Sequence, residues 1–269
     1  MPDPSLPDVA VAFVARGYAE ARAHRLSALL SALGMLCGML SFYFLARFVG
    51  GGVTVPHRGG YFAFALVGML GVDLFASTLA TCGRRVREAQ VSGTLDGLLA
   101  TPTPETWVIA LLPAWDICAS LLRVALYVAA GALLFGVPMR IAPLSLSLAL
   151  ALTLAAVVPL GLLGAAVTMT LRRPDPLALF LGMASSLLGG VLYPVDALPS
   201  WARAAAQALP LTHALEALRG ALLAGASPAA LARPLAMLAL LAAVLVPSCG
   251  AAFLFALRRA RVDGSLTSY

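Results

Sequence analysis

The stretch LSLSLALALTLAAVVPLGLLGAAVTMTL, residues 144–171, has no charged side chain in 28 positions. A helix needs about 20 apolar residues to cross the hydrocarbon core of a membrane, so this stretch predicts a transmembrane helix. Five more apolar stretches predict spans, at residues 26–46, 61–80, within 107–135, at 177–195 and at 235–257. We therefore expect an all-α integral membrane protein with six transmembrane helices, folded as a single domain over residues 1–269.

Composition supports a membrane environment. Hydrophobic residues make up 61% of the chain and charged residues 11%, whereas soluble domains carry about 25% charged residues. All 18 basic residues are arginine. Without lysine the chain has neither a Walker A loop nor a Schiff-base nucleophile. The arginines lie in short clusters between apolar runs, which is typical of membrane-flanking loops and not of nucleic-acid binding.

The arginine distribution predicts the orientation. Eleven arginines lie before the first span and after the second, fourth and sixth spans, whereas six lie in the other loops. Cytoplasmic loops carry the excess of basic residues. We therefore expect both termini on the cytoplasmic side. The alanine, glycine and arginine bias suggests a GC-rich bacterial genome, and hence the bacterial cytoplasmic (inner) membrane.

Residues 9–25 have an amphipathic pattern, because Arg16, Glu20 and His24 recur every four positions. Their place just before the first span predicts a helix lying in the inner membrane interface. An ordinary solvated lead-in is the alternative.

The loop after the second span predicts a short helix over residues 88–101. Leu95, Leu98 and Leu99 fall on one helical face, and Pro102 ends the pattern. Such a helix would show a small apolar face with a charged rim to the cytoplasm. The residues alone leave two alternatives open, a docking site for a partner and a surface helix packed against the bilayer.

The region 193–225 is divided by Pro194, Pro199 and Pro210 into pieces of about ten residues, which are too short to span. Residues such as Trp201 and Arg219 make these pieces amphipathic. We expect short helices over 197–225 that dip into the outer leaflet.

Three ionisable residues lie within or near predicted spans, namely Asp73, Asp116 and Arg123. Charges at this depth are costly and usually face the bundle or a wet cavity. A pair between Asp73 and Arg123 that links the second span to the third is favoured over a role in substrate passage. Asp116 is expected at the cytoplasmic interface.

Two motifs resemble those of the permease subunits of type-2 ABC exporters. Residues 93–102, GTLDGLLATP, resemble the family's G-T-L-E-x-L-L-x-T-P, with Asp96 where glutamate is common. The family's Y-P, L-P-x-W, L-P-L-T and E-x-L-R-G are similar to residues 193–194, 198–201, 209–212 and 216–220. The T-P ending is similar to the drug and lipo-oligosaccharide branch. One departure is at 110–113, ALLP, where the family often has a basic residue.

This resemblance implies a coupling helix seated in a separate ATPase subunit and re-entrant helices that close the outer end of the pathway. The implied coupling residues are Glu88, Gly93, Thr94, Leu95, Asp96, Leu98, Leu99, Thr101 and Pro102. The implied outer-gate residues are Tyr193, Pro194, Pro199, Trp201, Pro210, Glu216 and Arg219.

The resemblance also implies the partners. We expect two copies of an ABC ATPase, a second permease copy with a homodimer favoured over a heterodimer, and the lipid bilayer. No cofactor or metal is expected on this chain, since ATP and magnesium would bind the ATPase. The expected function is export of an amphiphilic drug, lipid or lipid-linked saccharide. The alternatives are a polysaccharide-exporting permease, an intramembrane enzyme and a passive channel or scaffold.

Overall fold

The computed structural model describes residues 6–23, 25–49, 60–94, 97, 108, 111–171 and 176–262, and within these ranges the regular elements are all helices, with no strand. The predicted all-α fold is therefore confirmed. The helices are α1 Leu6–Ala23, α2 Arg25–Val49, α3 Gly60–Val91, α4 Ala114–Leu133, α5 Pro143–Leu171, α6 Pro176–Leu188, α7 Ser200–Gln207, α8 Pro210–Arg219 and α9 Ala232–Val262. A 3-10 turn, Val195–Ala197, precedes α7, and a π-helical turn, Gly220–Ala224, follows α8.

Five helices within the described ranges, α2, α3, α4, α5 and α9, are long and apolar enough to cross a membrane. The predicted span at 177–195 differs, because α6 has only 13 residues. Such a helix extends about 20 Å, less than the roughly 30 Å of a hydrocarbon core. Gly190 then adopts φ +73°, a conformation suited to glycine, and the chain turns. The described residues thus give five candidate spans, not six.

Side-chain contacts define two ends of the helix bundle. At one end, Cys82 and Val86 of α3 cluster with Ala165 of α5 and Phe253 of α9. We call this the arginine end, because Arg84, Arg85 and Asp116 lie there.

The opposite end, which we call the far end, is marked by aromatic contacts. The ring of Tyr43, late in α2, lies 5.3 Å from that of Phe62 in α3 and 5.2 Å from that of Phe135, just after α4. Helices α2 to α6 therefore alternate in direction between the two ends, and α9 runs from the far end back to the arginine end. Helix α1 and the last turns of α9 both lie at the arginine end, so the two ends of the described chain are on one side.

Helix α3 is the central helix. In its most apolar window 72% of residues are buried, against 6% for α2. Small residues let neighbouring helices approach closely. A Cβ on Gly161 of α5 would lie 2.8 Å from Cys82 Sγ and 3.2 Å from the Leu79 carbonyl oxygen. Helix α2 instead leaves large apolar side chains such as Leu29, Leu33 and Phe44 exposed, as suits a lipid-facing helix.

The packing of α5 on α3 gives a first prediction. Gly161→Leu should lower the stability of the purified protein by about 1–3 kcal/mol, because the new side chain overpacks a closed helix contact. Thermal unfolding in a mild detergent measures this loss. Gly250→Leu in α9 is the matched control, since a Cβ there meets nothing within 4 Å. Equal unfolding midpoints for the two variants would contradict the packing argument.

Candidate functional sites

An ion network at the arginine end joins three helices. Arg85 of α3 donates from Nε to Asp116 Oδ2 of α4 at 2.5 Å and from Nη1 to Glu20 Oε2 of α1 at 3.1 Å. Arg84 also reaches Asp116, at 3.2 Å. Glu88, one turn further along α3, accepts from Arg84 and from Arg85. Arg85 and Asp116 are only 20% and 19% exposed, so solvent screens their pair less than it screens a surface ion pair.

Apolar contacts hold α1 on the same site. Gly17 lies directly against Trp115, because a Cβ at Gly17 would be 2.2 Å from that of Trp115. The ring of Tyr18 meets the Trp115 indole edge to face, with centroids 5.4 Å apart. The amphipathic helix predicted at 9–25 therefore exists, over Leu6–Ala23, and its polar and aromatic residues bind the first turn of α4 and the last turns of α3.

The chain turns directly after α3, where the predicted coupling stretch begins. The Ser92 amide donates to the Glu88 carbonyl at 3.0 Å, and Gly93 takes φ +67°, as expected of a glycine that ends a helix. The Thr94 hydroxyl lies 2.8 Å from that of Ser92. Glu88 thus belongs to α3, which ends at Val91, and a separate helix does not begin at 88 as the sequence suggested.

The remaining predicted coupling residues lie outside the described part of the chain. They are Leu95, Asp96, Leu98, Leu99, Thr101 and Pro102. A cavity of about 180 Å³ lies beside the described part of the predicted coupling stretch. The residues that line it include Phe13, Glu88, Thr94 and Leu112. Parts of α1, α3 and the segment before α4 therefore share one recess.

An ion pair joins α3 and α4 midway between the two ends. Arg123 donates from Nε to Asp73 Oδ2 at 2.9 Å, so the predicted pairing of these residues is confirmed. Their side chains are 33% and 34% exposed. Asp116, by contrast, lies in the first turn of α4 at the arginine end.

This pair gives a second prediction. Arg123→Gln should lower stability by about 1–2 kcal/mol, because Asp73 is left charged and unpaired at low dielectric, with an allowance for its partial exposure. The double variant Asp73→Asn, Arg123→Gln should recover part of that loss, since no isolated charge remains. Unfolding midpoints of the single and double variants measure the difference. Additive losses in the double variant would contradict a direct pair.

The predicted re-entrant region forms α7 and α8 at the far end. Proline precedes or begins each piece: Pro194 before the 3-10 turn, Pro199 before α7, and Pro210 at the first position of α8. The Tyr193 hydroxyl donates to the Leu187 carbonyl and closes the turn after α6. Trp201 in α7 is 72% exposed.

Helix α8 is more buried than the amphipathic pattern predicts. Nine of its ten residues are buried, and only Glu216 is exposed. Its first turn binds α7, because the Thr212 hydroxyl donates to the Ala206 carbonyl at 2.6 Å and His213 Nε2 lies 2.9 Å from the Gln207 carbonyl oxygen. Helix α8 is therefore part of the protein core and does not lie on the outside of the bundle.

Arg219, at the end of α8, is 6% exposed. Its Nη2 donates to the carbonyls of Gly190 and Val191, each at 2.9 Å, and its guanidinium carbon lies 3.5 Å from the centre of the Phe64 ring. Backbone carbonyl oxygens of the turn after α6 and an aromatic face both favour a cation. Arg219 therefore joins α8 to the end of α6 and to the start of α3.

A cleft of about 950 Å³ lies between α3 and α6, and the sequence analysis did not predict it. Its walls are small or apolar, with Ala76, Ala80 and Met183 among them, whereas Arg84 and Arg87 line it at the arginine end. Nη1 of Arg87 is buried and has no hydrogen-bond partner within the described ranges. The cleft thus offers apolar walls along its length and two guanidinium groups at one end.

The comparisons with known proteins agree with this architecture. The family described as ABC-2 type transporter matches residues 21–223, more than half of the chain. The matched range begins near the end of α1 and ends in the π-helical turn after α8. No curated protein matches the chain.

Proposed function

The chain belongs to the ABC-2 type transporter family, and we propose that it is the permease of an exporter that moves an amphiphilic molecule. Membership makes it a transmembrane subunit of an ABC transporter, non-catalytic itself, and implies association with an ABC ATPase. The direction of transport, the substrate class and the roles of individual segments of the chain are our proposals.

The cleft between α3 and α6 is the observation that carries the substrate class. Ligand pockets usually have volumes of about 300–1,000 Å³ and mostly apolar walls with a few polar groups. Here the walls suit an acyl chain or another hydrophobic body, and Arg84 and Arg87 suit a polar, preferably anionic, end group. A drug, a lipid or a lipid-linked saccharide has this combination.

We assign the arginine end to the cytoplasm, because basic loops are retained there. The inner (cytoplasmic) membrane of a bacterium is the proposed location. In this orientation the turn at Gly93 faces the ATPase, and the predicted coupling residues follow it in the chain. Glu88 binds Arg85, which also binds Glu20 of α1 and Asp116 of α4, so a force applied to this stretch reaches α1, α3 and α4 together.

The proposed assembly has two permeases, with a homodimer favoured, and two ATPase subunits that hold ATP and magnesium. The far-end helices α7 and α8 close the outer end of the pathway. The residues proposed for this gate are Tyr193, Pro194, Pro199, Trp201, Pro210, Glu216 and Arg219.

Filling the cleft tests the substrate class. Gly182→Trp places an indole among its walls, where a Cβ meets nothing within 4 Å. We expect this variant to lose at least nine-tenths of the ATPase stimulation that an amphiphilic substrate causes in the permease–ATPase complex, because the substrate is displaced. Gly34→Trp on exposed α2 is the control and should keep its stimulation. Full stimulation of the Gly182→Trp complex would rule out the cleft as the binding site.

Introducing a charge at one of the leucines predicted to form the apolar face tests whether the coupling stretch docks on the ATPase. Leu98→Glu should reduce co-purification of the ATPase at least tenfold, because a carboxylate is costly in an apolar docking surface. Ala229→Glu, which adds the same charge to an exposed loop at the far end, should leave co-purification unchanged. Pull-down of the tagged permease measures both. Undiminished recovery of the ATPase with Leu98→Glu would refute the docking role.

A further inference from the structure

A third cavity, of about 350 Å³, lies at the far end between the turn after α6, the helices α7 and α8, and the start of α9. Arg219 lines it, together with Arg203 of α7 and Arg233 of α9. The polar side chains of Gln207 and Thr212 also face it. It is thus separate from the apolar cleft and much more polar.

The hydrogen bonds of Arg219 leave part of its guanidinium group unused. All of its hydrogen bonds come from Nη2, whereas its buried Nε has no partner within the described ranges. Arginine carries five N–H donors. No carboxylate of the described residues forms an ion pair with it. A buried cation without a counter-charge is unfavourable, so an anion in the cavity would stabilise it.

The other two arginines have unused donors as well. Arg203 donates from Nη2 to the carbonyls of Asp196 and Leu198, and its Nε is buried without a partner. Arg233 is exposed and makes no hydrogen bond or ion pair with another described residue. Three guanidinium groups therefore border one cavity, and no carboxylate of the described residues forms an ion pair with any of them.

Two carboxylates also line the cavity, Asp196 and Glu216, and neither forms an ion pair with these arginines. The three arginines outnumber the two carboxylates, so the lining keeps a net positive charge. An occupant must therefore be anionic and must offer several acceptor oxygens. A phosphate group has both properties, and planar guanidinium groups match its geometry.

We propose that this far-end cavity binds a phosphate group carried by the head group of a lipid. The volume supports a head group over a free ion, because it lies in the range of pockets for small organic ligands. The occupant would bridge Arg219 of α8, Arg203 of α7 and Arg233 of α9. This inference is independent of the substrate proposed for the cleft.

Binding is measured on the purified permease in a maltoside detergent, which contains no phosphate. Dihexanoyl phosphatidylglycerol should raise the midpoint of thermal unfolding with a saturable dose dependence, because it binds only the folded state. Dihexanoylglycerol, which lacks the phosphate, should have no such effect. Inorganic phosphate distinguishes a lipid head group from a free ion as the occupant. If the free ion stabilises the protein as much as the phospholipid does at the same concentration, the head-group assignment is wrong.

Arg233→Gln is the decisive variant, since this side chain is exposed and its loss leaves the core intact. It should weaken the apparent affinity for the phospholipid about tenfold, the effect of one charge-assisted hydrogen bond. Arg140→Gln, also exposed at the far end but outside the cavity lining, should change the affinity less than twofold. Arg219→Lys keeps the charge but not the planar fork, and should also weaken binding.

Two results would overturn the site. One is an unfolding midpoint that no phosphate compound raises. The other is an equal loss of affinity in Arg233→Gln and Arg140→Gln, which would show diffuse attraction to surface charge. Because Arg233→Gln folds independently of the Arg219 contacts, a misfolded Arg219→Lys protein would not remove the test.

Discussion

The burial of α3 is the constraint on which the other contacts depend. A charged side chain on a helix that is surrounded by protein inside a membrane is costly unless a neighbouring helix supplies a partner, because lipid supplies none. Asp73 meets this requirement through Arg123, and Arg85 meets it through Asp116 and Glu20. The small residues that face α3, such as Gly161, bring the neighbouring backbones close enough for such contacts. The ion pairs and the close packing therefore depend on one another.

Helix length and apolar character were predictable from the sequence because they are local properties. The spans predicted at 26–46 and 144–171 correspond to α2 and α5 within a few residues. The end of α3 was misplaced by eleven residues, since Arg84, Arg85 and Arg87 suggested a loop. In the structure these arginines remain helical, because acidic partners distant in sequence, Glu20 and Asp116, pair with two of them. A local pattern does not contain such partners.

In the candidate sites, too, local features were predictable from the sequence and contacts between distant residues were not. Motif residues such as Gly93 and Pro210 were recognisable because their roles are local: glycine accepts a positive φ, and proline suits a first helical position. The cleft was not recognisable, because it requires two helices to place small side chains opposite each other. The burial of α8 was missed for a related reason. An amphipathic pattern shows which residues share a face, but it does not show whether protein also covers the polar face.

A single helix connects the sites at the two ends. Helix α3 has 32 residues and extends about 48 Å. At the arginine end it carries Arg85 and Glu88. Nearer its other end, Gly68 lies so close to the Val191 carbonyl that a Cβ would be 2.2 Å from that oxygen. The same carbonyl accepts from Arg219. Because α3 is packed along most of its apolar length, a shift imposed at the arginine end reaches this contact with little room for bending. In the proposed transporter, α3 is therefore the direct mechanical path from the ATPase to the helices that close the outer end.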